Sequence, residues 1–195
     1  SESEIQKAFN TPEEMSVFSW NGERDTVMTP MDSIRYYKYF LRAGFMSMDP
    51  RNGHVKAYVG GPNFHYFQYD MAMMGRRQVG STIKPYLYTL AMESGFSPCD
   101  EARHVPYTLL DENNQPWTPR NTNQKRYGEM VTVKWGLANS DNWITAYLMS
   151  KLNPYALKRL IQSFGVRNRD IQPTVSLCLG PCDISVGEMV SAYTA

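Results

Sequence analysis

Nine consecutive residues decide the fold: Arg77-Gln78-Val79-Gly80-Ser81-Thr82-Ile83-Lys84-Pro85. Proline fits a helix only in its first turn, where its missing N–H is not needed, so Pro85 predicts a helix that begins close to Ser81. Gly80 gives the backbone the freedom to turn sharply into that helix. Ser81 is therefore expected at a helix N-terminus, surrounded by unpaired N–H groups and the positive end of the helix dipole.

Lys84 follows Ser81 by three residues and shares its face of the helix. A serine hydroxyl is a poor nucleophile until a neighbour removes its proton. A lysine can do this when burial or nearby positive charge lowers its pKa. The spacing is therefore compatible with a nucleophilic serine and a lysine base. The spacing alone leaves a second interpretation open, in which Ser81 is an N-cap and Lys84 a solvated helix residue.

The pattern outward from this helix predicts an α/β fold of the α+β type, with a mostly antiparallel sheet against helices. We interpret residues 1–31 as an irregular lead-in that could hold short strands, and residues 32–195 as one domain. Alternating residues on either side of Asp49-Pro50-Arg51-Asn52-Gly53 predict a β-hairpin over residues 45–59. Residues 99–130 contain several Pro and Asn and are typical of a long loop.

Helical spacing of apolar residues accounts for most of the remaining chain. One helix is predicted to begin at Asp32 or Ser33 and to stop at Gly44, and three more at about 132–138, 143–152 and 155–164. The last helix begins with the capping box Ser185-Val186-Gly187-Glu188. Its pattern continues to Ala195, so we expect a chain truncated within that helix.

A second group of polar residues, Ser140-Asp141-Asn142, lies between two predicted helices. Ser, Asp and Asn are the preferred N-caps, so capping alone could explain them. A serine hydroxyl at this point could instead relay a proton, and an asparagine side chain could hold both a lysine and a substrate amide. S-x-x-K followed by S-D-N is the motif order of serine β-lactamases and penicillin-binding proteins, for which the combination is a known signature.

Five blocks in one order resemble the transpeptidase domain of class A penicillin-binding proteins over about residues 30–195. The strongest block is Arg76–Pro85, which resembles R-Q-x-G-S-x-x-K-P. Met48–Gly61 resembles the family's D-P-x-x-G-x-x-x-A-x-V-G-G hairpin. The other blocks are Trp117-Thr118-Pro119-Arg120-Asn121, Leu137–Asn142, and Leu179-Gly180 with Ser185–Met189.

The resemblance implies a peptidoglycan D,D-transpeptidase that cross-links stem peptides, releases D-alanine and is acylated by β-lactams. It implies an enzyme linked to a glycosyltransferase domain and held by an anchor at the outer face of the cytoplasmic membrane. The implied catalytic residues are Ser81 as nucleophile, Lys84 as base, Ser140 as proton relay and Asn142 as orienting amide. The implied substrate-binding residues are Gln78, Gly80 and Asp141.

The chain departs from the family pattern in its third motif, because no K-T-G or K-S-G is present. In the family this motif lies on a strand, so the resemblance implies a sheet that is incomplete at its C-terminal strands. In the family that strand supplies an oxyanion donor, and losing one such donor costs on the order of 10²–10³ in rate. We therefore expect this polypeptide alone to be weak or inactive and the intact protein to be the enzyme. The deacylating Glu of class A β-lactamases is also unmatched, which favours transfer over hydrolysis.

Three other functions stay open at this stage: a D,D-carboxypeptidase, a β-lactam sensor domain, and a non-catalytic module on a degenerate transpeptidase fold. The net charge of +1 gives no field that points to nucleic acid or to an anionic membrane surface. Cys99, Cys178 and Cys182 do not make a disulfide framework, although one bridge is possible, and their spacing does not favour zinc. No metal or nucleotide cofactor is indicated. The three His, His104 among them, have no context that supports a catalytic triad.

Overall fold

The structure is a computed structural model that describes residues 1–122 and 124–195. The predicted irregular lead-in is instead regular structure: helix α1 (Glu2–Asn10) and an antiparallel hairpin of β1 (Glu13–Ser19) and β2 (Gly22–Met28). Acidic side chains in the first turn of α1 complement the positive end of its dipole. The division of the chain between residues 31 and 32 stays a prediction.

Helix α2 (Pro30–Lys38) begins earlier and ends earlier than the sequence predicted. The Thr29 hydroxyl accepts the Asp32 N–H at 3.0 Å, and Pro30 occupies the first helical position, which its fixed φ favours. The Tyr36 hydroxyl donates to the carbonyl of Phe18 at 2.7 Å and ties α2 to β1. Edge-to-face ring contacts extend this small core to Phe67, whose centroid lies 5.3 Å from that of Phe18.

The predicted hairpin over residues 45–59 is confirmed as β3 (Phe45–Met48) paired with β4 (Val55–Val59). Its turn is built on Asp49, whose carboxylate accepts the Arg51 N–H at 3.0 Å and whose carbonyl accepts the Gly53 N–H at 2.8 Å. Gly53 has a φ of +70°, which glycine adopts without strain.

The largest core surrounds helix α3 (Lys84–Glu93), which continues a short 3-10 helix over Gly80–Ile83. Helices α5 (Asn142–Met149) and α6 (Pro154–Ser163) pack against it, together with a second 3-10 helix over Val175–Leu179. Fully buried apolar side chains from these elements fill the space between them: Ile83, Leu87, Leu148, Leu157 and Ile161. Lys84 is the first residue of α3 and follows Ile83 of this core.

Residues 99–130 are not a plain loop, because they contain three short strands. Strand β6 (Glu101–Arg103) pairs with β9 (Met130–Thr132), and β7 (Leu109–Leu110) pairs with β8 (Pro116–Trp117). Helix α4 (Val133–Ala138) follows β9 directly, with the Thr132 hydroxyl as its N-cap acceptor.

Strand β5 (Arg76–Gln78) pairs with β10 (Asp183–Ser185) and so brings the end of the chain beside the start of α3. The predicted capping box of the last helix, α7 (Val186–Ala192), is confirmed, but the helix ends at Ala192 and does not run on to Ala195. All five strand pairs in the described residues are antiparallel, and they form separate two-stranded sheets. Among these residues no helix has the length and apolar character that a membrane span requires.

Candidate active site

Ser81 lies where the chain leaves β5 and enters the 3-10 helix. Gly80 makes this turn with a φ of +54°, and its N–H donates to the carbonyl of Gly180 at 3.1 Å. Residues i and i+3 eclipse each other in a 3-10 helix, so the side chains of Ser81 and Lys84 share one column. Ser81 is exposed, and within the described residues its hydroxyl makes no hydrogen bond. A hydroxyl in this position is accessible to an incoming molecule.

Lys84 is only 1% exposed, so the interpretation of a solvated lysine is wrong. Its Nζ atom donates to the Ser140 carbonyl at 2.6 Å and to Asn142 Oδ1 at 2.7 Å, and it lies 3.2 Å from Ser140 Oγ. Lys84, Ser140 and Asn142 therefore meet around one amine, although they come from α3, from the turn after α4 and from the start of α5.

Burial lowers the pKa of Lys84 from its ordinary value to about 8, and the negative charge of Asp141 and the Cys178 thiol oppose this shift. A neutral amine has two N–H donors and one lone pair. The Ser140 carbonyl and Asn142 Oδ1 accept the two N–H groups of the neutral amine. The lone pair can then accept a hydrogen bond that the Ser140 hydroxyl donates across the longer contact. The arrangement can therefore hold a neutral lysine that accepts a proton.

Ser140 adopts a left-handed backbone with a φ of +49°, which non-glycine residues rarely do. Its N–H donates to the carbonyl of Leu137 at 3.0 Å, and the next N–H, of Asp141, donates to the carbonyl of Gly136 at 2.8 Å. This turn aims both the carbonyl and the hydroxyl of Ser140 at Lys84. Strained conformations of this kind persist only where surrounding contacts hold them, and they concentrate at functional sites.

Asn142 is the first residue of α5 and is held on both sides of its amide. Its Nδ2 donates to the carbonyl of Arg120 at 2.7 Å, which leaves Oδ1 facing Lys84. Its backbone N–H donates to Asn121 Oδ1 at 3.3 Å. The block Trp117–Asn121, singled out in the sequence, therefore supports the back of Asn142.

Asp141 does not lie where the predicted substrate-binding role would place it. Its side chain is fully buried, and one carboxylate oxygen caps α5 by accepting the N–H groups of Trp143 and Ile144. The other oxygen lies 2.8 Å from His104 Nε2 and accepts Asn121 Nδ2 at 2.7 Å. The geometry gives no support to contact with a substrate, since every acceptor direction of this carboxylate is occupied inside the protein.

Sequence reasoning gave His104 no role, yet it is fully buried beside the site. It precedes Asp141 by 37 residues. No local pattern marks it, because only the pairing of β6 with β9 and the packing of α5 bring the two side chains together.

Gln78 lies at the exposed end of β5 and lines a cleft of about 610 Å³ between β10 and the chain over residues 167–172. Lys84, Ser140 and Asn142 do not line that cleft. Gln78 is close to Gly80 in sequence, but it lies outside the group of residues around the Lys84 amine. The substrate-binding roles of Gln78 and Gly80 stay predictions.

The sequence profiles of two known families match this chain. The profile described as "Penicillin binding protein transpeptidase domain" matches residues 43–175, and the one described as "Penicillin-binding protein middle domain" matches residues 1–41. The chain belongs to the penicillin-binding protein transpeptidase family.

Relatives within the family carry the name "Penicillin-binding protein 1A". The chain is 28% identical over 156 residues to that of Neisseria meningitidis serogroup A, covering 79% of this chain and 19% of the relative. It is 30% identical over 154 residues to that of Escherichia coli K12 and 31% identical over 155 to that of Aquifex aeolicus, each time over 78% of this chain and 18% or 21% of the relative. The chain thus spans about a fifth of the length of these relatives.

Solved structures give the same result for the fold. The crystal structure of Penicillin-Binding Protein 1A from Haemophilus influenzae superposes with a TM-score of 0.72 at 26% identity, over 78% of this chain and 23% of that one. Pseudomonas aeruginosa PBP2, solved in complex with WCK 5153, superposes with a TM-score of 0.63 at 19% identity, over 78% of this chain and 44% of that one, and supports the fold alone. The predicted fold, mixed helices with antiparallel strands of the penicillin-binding type, is confirmed.

Proposed function

We propose that this chain carries the acyl-serine site of a peptidoglycan D,D-transpeptidase, with Ser81 as nucleophile and Lys84 as its general base. The observation that supports the proposal most directly is the buried Lys84 amine, held between Ser140 and Asn142 one turn after an exposed serine. Lysine with a pKa near 8 is partly neutral at physiological pH, which a general base requires.

In the first step Ser81 attacks the carbonyl between the two terminal D-alanines of a stem peptide, and Lys84 takes the hydroxyl proton. The Ser81 N–H lies in the first turn of a helix, where no carbonyl of that helix can accept it, so it can donate to the developing oxyanion. The C–N bond then breaks, and D-alanine leaves with a proton that Lys84 returns through the Ser140 hydroxyl. The product of this step is the acyl-Ser81 ester.

In the second step an amine from a neighbouring stem peptide attacks the ester. Lys84, neutral again, takes the proton of that amine, and Ser81 regains its hydroxyl proton as the cross-link forms. A β-lactam would enter the same first step, but its amine stays tethered after ring opening, so the ester persists. Stem peptides and β-lactams are therefore the proposed partners, and the outer face of the cytoplasmic membrane is the proposed location, since stem peptides are cross-linked there.

The first test labels the full-length protein with a fluorescent penicillin and maps the adduct by mass spectrometry. We expect the label on Ser81 and none on the Ser81→Ala variant. Ser94→Ala is the matched control, because it removes an exposed hydroxyl at the other end of the same helix, and it should label like the wild type. A label on another residue, or one that survives Ser81→Ala, would show that the site is assigned wrongly.

The second test offers donor and acceptor stem peptides together and measures the products. A transpeptidase yields the cross-linked peptide and free D-alanine. Release of D-alanine with a hydrolysed donor and no cross-link would point to a carboxypeptidase. A stable acyl-enzyme without either product would point to a β-lactam sensor, and no acylation at all would point to a non-catalytic module.

A further inference from the structure

His104 is a buried histidine that the proposed mechanism does not use. Its ring lies between two tryptophans, with centroids 5.2 Å from Trp135 and 4.9 Å from Trp143. Its backbone is fixed as well, because its N–H donates to the carbonyl of Glu129 at 2.8 Å and its carbonyl accepts the Gly128 N–H at 2.9 Å. Ring and backbone are therefore both held, and Nε2 points at Asp141 at 2.8 Å.

The hydrogen bonds indicate which ring nitrogen carries the proton. Nδ1 is buried and has no partner among the described residues, whereas Nε2 lies 2.8 Å from Asp141 Oδ2 and 3.1 Å from Asn121 Nδ2. The Asn121 amide makes its shorter contact, 2.7 Å, with Asp141 Oδ2, so the carboxylate is the nearer partner of both groups. A buried N–H without an acceptor is rarer and costlier than a buried lone pair without a donor. The tautomer that fits is the one with the proton on Nε2, donating to Asp141 Oδ2.

Asp141 connects this histidine to the catalytic group. It lies between Ser140 and Asn142, the two residues that contact the Lys84 amine. Its carboxylate collects four donors in all, from His104, Asn121, Trp143 and Ile144. A buried carboxylate needs such donors, and hydrogen bonds to a charged group are stronger than those between neutral groups.

The hydrogen bonds of Asp141 bear on the backbone of Ser140, because a left-handed conformation in a non-glycine residue persists only where neighbouring contacts hold it. The next residue, Asp141, supplies such contacts through the hydrogen bonds of its buried carboxylate. We propose that His104 is a positioning residue for the acylation reaction: through Asp141 it holds the Ser140–Asn142 segment in the conformation that presents its acceptors to Lys84. This inference rests on the proposed function for its kinetic consequence, and on the geometry alone for its structural one.

The test compares three variants in the full-length protein. His104→Phe keeps the ring volume and removes the N–H, His104→Gln can place an amide N–H near the position of Nε2, and His104→Ala serves if the phenylalanine variant does not fold. Leu157→Ala is the stability control, since Leu157 is fully buried on α6 in a core cluster to which His104 and Asp141 do not belong. Acylation of Ser81 by a fluorescent penicillin, measured against concentration, separates the dissociation constant from the acylation rate constant.

We expect His104→Phe or His104→Ala to lower the acylation rate constant by about 10- to 100-fold and to leave the dissociation constant unchanged, since a hydrogen bond to a charged group is lost. His104→Gln should recover most of the rate. Leu157→Ala should lower the unfolding temperature without a comparable loss of rate. An unchanged rate in the phenylalanine or alanine variant, a glutamine variant no faster than these, or an equal loss in Leu157→Ala would each overturn the inference.

Failure of the proposed function would show separately, as a wild type that penicillin does not acylate at Ser81. The positioning inference is then decided by crystal structures of the wild type and of His104→Phe. We expect Ser140 to leave its left-handed conformation and the Lys84 amine to lose its contact with Asn142 in the variant. An unchanged Ser140–Asn142 segment would overturn the inference whatever reaction the protein performs.

Discussion

Gly180 contacts the turn that carries Ser81, the proposed nucleophile, and its replacement by alanine tests the site. It ends the 3-10 helix over Val175–Leu179 in a left-handed conformation, with φ 71° and ψ 44°. A Cβ atom at this position would clash with the carbonyl oxygen of Gly80 and lie 2.8 Å from its nitrogen. These are backbone atoms, so they cannot swing aside, and Ser81 follows them directly.

The expected cost has two parts. A left-handed backbone costs a residue with a Cβ about 1–2 kcal/mol, and overpacking in a well-packed region costs about 1–3 kcal/mol. Gly180→Ala should therefore destabilise the domain by about 2–5 kcal/mol. Because the clash displaces the residue before Ser81, the acylation rate should fall as well, by on the order of 10²-fold for a shift near 1 Å.

Gly53→Ala is the matched control, because Gly53 has a φ of +70° and an added Cβ there meets nothing within 4 Å. It carries the backbone strain without the clash, at about 1–2 kcal/mol, and lies in the β3–β4 turn. Thermal unfolding and penicillin acylation of both variants in the full-length protein give the comparison. Equal unfolding temperatures for the two variants, together with wild-type acylation in Gly180→Ala, would refute the contact with Gly80 as the structure has it.

Three further predictions concern the charge of Lys84. The acylation rate should rise with pH to a plateau, with an apparent pKa of about 8, because only the neutral amine accepts the Ser81 proton; a rate independent of pH between 6 and 9 would exclude this base. Between pH 8 and 10.5 the unfolded chain retains a Lys84 proton that the folded chain has lost, so the free energy of unfolding of the wild type should rise with pH in this window. In the same unfolding experiments Lys84→Met should lack that rise. Asn142→Asp places a carboxylate where Oδ1 now lies 2.7 Å from the amine, so it should raise the pKa of Lys84 and move the pH–rate profile to higher pH. Asn142→Ala should lower the acylation rate without moving the profile.

Local rules were enough to find the parts of the fold that depend on neighbouring residues. Pro85 located the start of α3, and the Ser185–Glu188 capping box located the start of α7. The same rules placed the end of α2 wrongly, because Gly44 was taken as its stop although the helix ends at Lys38. They also treated residues 99–130 as a loop, since strands of two or three residues are too short to show an alternating pattern and form through pairing with a partner strand.

The residues of the candidate site also differ in how far the sequence alone predicts them. Ser81 and Lys84 are related by a spacing of three, which the sequence displays directly. Ser140 and Asn142 could be proposed from the order of the motifs, but their contact with the Lys84 amine needs the packing of α3 against α5. His104 could not be found at all, since its role depends on burial and on one hydrogen bond across 37 residues.

The sequence offered capping and catalysis as competing interpretations of Ser140-Asp141-Asn142, and the capping that the structure shows is compatible with the catalysis that we propose. A carboxylate turned toward Lys84 would keep the amine protonated, and a protonated amine cannot act as a base. Because Asp141 is the N-cap of α5, its side chain turns toward the N–H groups of the first turn and toward His104, away from the amine. The neutral amide of Asn142 is then left to face Lys84. Burial lowers the pKa of Lys84 to about 8, and the charge of Asp141, whose side chain is turned away by its capping contacts, opposes this shift without cancelling it.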